Sequence, residues 1–119
     1  MSNDKVFTIK EGVTVTDEVV SIIAGLSATE VEGAVSLGGD LMPELISKAG
    51  AGKLSKGVRI LRSEDDSVMV RLAVNIGYGY DIPKVCKAIQ EKVKSGIESM
   101  TGIAVKEVDI KVASVAIAE

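Results

Sequence analysis

Residues 72–102 read LAVNIGYGYDIPKVCKAIQEKVKSGIESMTG, and three patterns succeed one another within that stretch. Together with the preceding residues, Val68, Val70, Leu72, Val74 and Ile76 alternate with Met69, Arg71, Ala73 and Asn75. This is the two-residue period of a strand with one face in the core. Gly77 and Gly79 follow, both suited to positive φ, and then Asp81 stands as a helix cap ahead of Pro83, which a first turn tolerates. From there the period changes. Ile82, Val85, Cys86, Ile89, Val93, Gly96, Ile97 and Met100 share one helical stripe, and Lys84, Lys87, Gln90, Glu91, Lys94, Ser95 and Glu98 share the opposite one. Gly102 after Thr101 suits the left-handed position that closes a helix.

Upstream, Val6 to Ile9 and Val13 to Val15 are β-prone and interrupted by Gly12, so residues 1–15 are expected to form an extended N-terminal arm. Thr16 can cap a helix whose first turn carries Asp17 and Glu18, where the helix dipole favours negative charge. Val19, Ile22, Ile23 and Leu26 would supply its apolar face, continued by Ala28 and Val31, and Gly33 would end it. Residues 34–56 form a glycine-rich insert holding a short helix from Asp40 to Ala49. Leu41, Met42, Leu45 and Ile46 recur there at helical spacing, either to pack over the domain's own core or to contact a partner.

Gly57 to Arg62 reads as a strand that pairs as a hairpin with Val68 to Ile76 across the polar turn Glu64 to Ser67. A last strand runs from Val105 to Val112. Val108, Ile110 and Val112 share a face, whereas Ile103 and Val105 have the other parity, so a bend or bulge is expected near Lys106. The small apolar tail Ala113 to Ala118 could extend this strand or pair with another chain's sheet edge. The fold class is therefore α+β: a helix-strand-strand-helix-strand core with two helices on one face of a three-stranded sheet, plus the arm and the short extra helix. The other sheet face, with Arg59, Leu61, Met69, Arg71, Ala73, Asp109 and Lys111, has the mixed character of an oligomer contact.

The 119 residues suffice for one domain with a real core. Only Phe7, Tyr78 and Tyr80 are aromatic, so that core must be aliphatic. A net charge of −3 with interspersed signs argues against a field that gathers nucleic acid or anionic lipid. The single Cys86 can form no intrachain disulfide, and Met1 to Lys5 lack the apolar run of a signal peptide. Segments such as Val19 to Thr29 fall short of the about 20 residues that a membrane-spanning helix needs. A cytoplasmic protein is expected.

With no histidine in the chain, Ser-His-Asp and Cys-His relays and the commonest zinc sites are excluded. Gly50, Ala51, Gly52 and Lys53 lack the remaining residues of a phosphate loop, with Ser47 and Leu54 at two of its fixed positions. Cys86 on the apolar stripe reads as a buried thiol, and Glu64, Asp65 and Asp66 as a solvated turn without calcium-loop spacing. No catalytic, cofactor-binding or metal-binding residues are therefore assigned. Lys53, Lys56, Arg59 and Arg62 make a local basic run that could touch phosphate. Acids flank it, and no two glycines stand three apart, so the GXXG clamp of KH domains is missing. Tyr78 and Tyr80 either seal the end of the core or contact a partner.

Glu30 to Gly33, Ser55 to Val58, Tyr78 and Gly79 with Ile82, Pro83 and Val85, Gln90 and Val93, and Met100 to Gly102 with Val105, Val108, Ile110 and Val112 together resemble the alkaline-shock-protein family of Gram-positive bacteria. The resemblance implies a cytoplasmic, non-enzymatic protein of cell-envelope stress and homeostasis, without cofactor. It further implies a homo-oligomeric scaffold held near the membrane by a small membrane-anchored protein partner. Two alternatives accompany it: a KH-like RNA-binding module using the basic run, although the charge disfavours nucleic acid, and a regulator of a lipid-synthesis enzyme.

Overall fold

The strand marked by the alternation at Val68 is the one on which every other strand of the main sheet is laid. A computed structural model describes residues 6–37 and 57–117. In chain order these form β1 (Val6–Lys10), β2 (Val13–Thr16), α1 (Asp17–Thr29), β3 (Ala34–Leu37), β4 (Val58–Arg62), β5 (Val68–Gly77), α2 (Ile82–Thr101) and β6 (Val105–Ala116). β5 pairs antiparallel with β3 and β4 along one edge and parallel with β6 along the other. β3 lies opposite residues 74–76 and β4 opposite residues 68–72, so β3 ends and β4 begins on either side of Ala73. The Ala73 N–H donates to the Gly57 carbonyl at 2.9 Å.

The α+β class and its element order are thus those expected, with three strand positions in the main sheet. The first position is shared by two segments. β3 opens the stretch read as a glycine-rich insert; four residues are too few for an alternation to stand out in sequence. The helix expected from Asp40 to Ala49 lies outside the described residues. At the other end of the chain, the expected arm is folded back on itself as the antiparallel hairpin β1–β2, which delivers Phe7 into the core.

The alternation predicted the core side of β5 correctly: Val68, Val70, Leu72, Val74 and Ile76 are all buried. Val85, Ile89, Val93 and Ile97 of α2 meet them at four-residue spacing. Complete burial of each such aliphatic side chain contributes roughly 1.5–3 kcal/mol. Asp81 caps α2 by accepting from the Lys84 N–H at 3.2 Å, and Gly102 closes it at φ 79. The Glu98 carboxylate accepts from the Val105 N–H at 2.9 Å, joining the last turn of α2 to the start of β6. The register moves from Val68↔Val105 to Met69↔Glu107, which leaves Lys106 as the extra residue of the expected bulge.

α1 differs from its expectation in phase. Thr16 caps it as expected, accepting from the Val19 N–H, but it ends at Thr29, with Gly33 following in a turn. Its buried residues are Val20, Ser21, Ile23, Ala24, Gly25, Ser27 and Ala28, whereas Val19 and Leu26 are exposed. α2 narrows likewise, since Ile82 and Met100 are exposed. The cause is the distance between the helices. A Cβ added at Gly96 would lie only 2.5 Å from Ser27 Oγ, so α1 sets a small residue against α2 at the point of closest approach, and Val19 and Leu26 are left outward while Val20 and Ile23 stay in the core.

Candidate interaction surface

That phase leaves an apolar groove on the side of the helices away from the sheet. Val19, Ile22 and Leu26 of α1 and Met100 of α2 line it, and it encloses about 600 Å³. Val19 is 40% exposed, Leu26 47% and Met100 70%. Ser95 and Ser99 add polar atoms to the wall, and Lys92 Nζ meets Glu30 Oε1 at 3.4 Å at one end. An exposed ion pair of this kind contributes about 0–1 kcal/mol, so it bounds the groove more than it fastens the helices. The sequence reading missed this surface by assigning Val19, Leu26 and Met100 to the core. The available signal was the small-residue spacing of Ser21, Ala24, Gly25 and Ala28, with Gly96 on the other helix.

The tyrosines divide their roles. Tyr80 lies across two glycines: a Cβ at Gly33 would come within 2.9 Å of its Cδ1, and one at Gly77 within 3.1 Å of its Cδ2. It therefore covers the end of the core while keeping part of its ring in solvent. Tyr78 stands 76% exposed. Of the two turn glycines expected to need positive φ, Gly79 does, at φ 98, whereas Gly77 makes room for the Tyr80 ring.

On the outer face of the sheet, Arg59, Arg71, Ala73, Asp109 and Lys111 surround a shallow depression of about 510 Å³. Arg71 Nε meets Asp109 Oδ2 at 3.7 Å. The neighbouring Asp109 carboxylate, by hydrogen bond and by like charge, pushes the Glu107 carboxyl above its ordinary range. Arg62 belongs elsewhere. Its guanidinium lies 4.1 Å from the centroid of the Phe7 ring and donates to the Val6 carbonyl, fixing the β1–β2 hairpin to the end of β4. Of the basic run, Arg59 is thus on the outer face and Arg62 is engaged by the hairpin. Lys53 and Lys56, together with Leu41, Met42, Leu45 and Ile46, lie outside the described residues.

The acidic turn is held by its own hydrogen bonds. Asp65 Oδ1 accepts from the Ser67 hydroxyl at 2.6 Å and from the Ser67 N–H at 3.2 Å, which holds the Asp65 carboxyl below its ordinary range. Cys86 is half-buried, and burial pushes its thiol up. Among the described residues no three His, Cys, Asp or Glu side chains are grouped to hold a metal ion, and no helix is long and apolar enough to cross a membrane.

Residues 5–117 match the model of the ASP23 family, whose description is a cell envelope-related function. The chain is 27% identical over 103 residues to the uncharacterized protein YqhY of Bacillus subtilis, covering 87% of this chain and 76% of that protein. It is 34% identical over 100 residues to the uncharacterized protein Spy1535 of Streptococcus pyogenes, covering 84% and 75%. Among solved structures, a variant of the MamM CTD is similar with a TM-score of 0.50 at 12% identity, over 87% of this chain and 96% of that one. At that identity the likeness concerns the fold alone.

Proposed function

Because the chain belongs to the ASP23 family, with its cell envelope-related function, we propose that it is a non-enzymatic scaffold of the cell envelope, self-associating and held near the membrane by a protein partner. The observation that carries this reading is the open groove between α1 and α2. Its walls are two helices and its floor is apolar, and an amphipathic helix laid along it would cover Val19, Leu26 and Met100 together. The partner is accordingly a membrane protein with such a helix outside the bilayer. Self-association is supported by the mixed outer face of the sheet, where Arg59, Arg71, Asp109 and Lys111 stand around a depression that has no covering layer among the described residues.

The test pairs cell fractionation with vesicle binding. The wild-type chain should be recovered with the membranes and Leu26→Glu should be released from them, while neither sediments with protein-free vesicles of anionic phospholipid. Equal membrane recovery of both proteins would overturn the groove as the docking site. Binding of the wild type to bare vesicles would replace the protein partner by lipid, and occupancy of the groove by Asp40 to Ala49 of the same chain would make recovery insensitive to Leu26→Glu.

A further inference from the structure

β6 has one edge hydrogen-bonded to β5 and, among the described residues, no strand on the other. The direction of its backbone groups follows from its neighbours. The Val68 and Tyr78 N–H groups donate to the Ala104 and Ala116 carbonyls, so the even residues of β5 face β6. The Val108 carbonyl instead accepts from the Gln90 side-chain amide of α2 at 2.8 Å, at the open edge. The register is unbroken from Val108 to Val112, so Ile110 and Val112 also turn their N–H and carbonyl groups outward.

The sequence of this edge is complementary to itself. Val108, Asp109, Ile110, Lys111 and Val112 read the same in hydropathy from either end, with the charges exchanged. We infer that β6 pairs antiparallel with β6 of a second copy of this chain, about a two-fold axis at Ile110, so that Asp109 of each copy lies opposite Lys111 of the other.

This register satisfies three conditions together. It sets outward backbone groups against outward backbone groups, at Ile110 with its own counterpart and at Val108 with the second copy's Val112. It places Ile110 and Val112, both half-buried at the margin of the core, against apolar residues on the helix side of a continuous sheet. On the outer face it brings a lysine to an Asp109 that Arg71 reaches only at 3.7 Å and that Glu107 crowds with like charge.

Moving the axis by one residue loses the match, because an axis at Asp109 sets Asp109 against itself and an axis at Lys111 sets Lys111 against itself. Charged residues on an edge strand ordinarily keep chains apart. An axis at Asp109 would also pair Glu107 with Lys111, but only with two aspartates meeting on the axis; the axis at Ile110 pairs opposite charges with no like pair, and so turns the same charges into a specification. The Gln90 amide occupies one lone pair of the Val108 carbonyl and leaves the other for the incoming strand.

This inference deepens the self-association proposed above, and two experiments separate the two. In sedimentation velocity across a dilution series, the wild type should dimerise by high micromolar concentration. Asp109→Lys and Lys111→Asp should each weaken the dimer at least about tenfold, because like charges then face each other twice across the axis. The double variant Asp109→Lys/Lys111→Asp should recover wild-type association. A monomeric wild type overturns both the self-association and the register. A wild type that dimerises while the single variants do so equally, or a double variant that fails to recover, overturns the register alone.

Should a charge variant unfold, oxidation of Cys86→Ser/Ile110→Cys decides independently. The axis brings two copies of that position within about 5.5 Å between Cα atoms, inside disulfide range. Cys86→Ser/Glu107→Cys, far from its own counterpart, should stay monomeric on a non-reducing gel. Failure of the Ile110 cysteine to cross-link, or equal cross-linking of both, overturns the proposal.

Discussion

Replacing Val93 by aspartate places a carboxyl group at a fully buried position on α2, midway between Ile89 and Ile97. Removing the isopropyl group forfeits roughly 1.5–3 kcal/mol of burial. A neutral carboxyl group without a partner adds about 1–3 kcal/mol, so the protonated variant is destabilised by about 4 kcal/mol. Ionisation costs more. If burial raises the folded-state pKa by about 4 units, the penalty grows by roughly 5 kcal/mol, and the sum rivals the whole stability of about 5–15 kcal/mol for a domain. The sign follows from linkage: the native state holds this proton more tightly than the unfolded chain, whose aspartate titrates near about 3.9. The ionisation penalty is therefore absent below that pH, grows as pH rises through it, and is complete above the folded pKa. Thermal melts of Val93→Asp and wild type, compared at each pH from acid to neutral, should show a variant that is folded only in acid. The exposed neighbour Lys94→Asp should melt close to wild type throughout. A Val93→Asp protein that melts within a few degrees of wild type at neutral pH would refute the helix phase and the core built on it.

Gly33→Ala should lower the melting temperature by the equivalent of at least about 1–2 kcal/mol, because φ 99 strains any side chain and the new Cβ would meet Tyr80 and Val85 at 2.9 Å. Calorimetry of this variant against wild type, beside Tyr80→Ala/Gly33→Ala against Tyr80→Ala, would separate the clash with the ring from the backbone strain and the Val85 contact. Asp81→Ala should cost about 1 kcal/mol in denaturant unfolding through loss of the cap on the Lys84 N–H. Asp65 should titrate by NMR with a midpoint below its ordinary 3.8, because Ser67 stabilises the carboxylate. Its contribution to the Ser63–Ser67 turn is present above that pH and is lost as pH falls through the lowered value, and Ser67→Ala, which removes the hydroxyl donor and keeps the backbone N–H, should raise the midpoint toward the ordinary range.

The sequence by itself determined β5, α2 and their caps, because there each local signal agrees with the others. A strict two-residue alternation can bury only one set of side chains, and Asp81, Pro83 and Gly102 each suit a single place at a helix end. It also carried the bulge at Lys106, since the parity of Val105 and Val108 cannot be reconciled in an unbroken strand. The family resemblance was equally legible, resting on residues of that stretch together with Glu30 to Gly33, Ser55 to Val58 and Val105 to Val112. Tertiary structure alone decided the phase of α1. Amphipathicity ranks residues by hydropathy and so favours Val19 and Leu26. The close approach at Gly96 selects by size, and it buries Ser21, Gly25 and Ser27 in their place. The groove is the direct result of that choice. The open edge of β6 was likewise undetermined by sequence, because the palindrome from Val108 to Val112 acquires meaning only when the sheet order leaves those backbone groups facing outward.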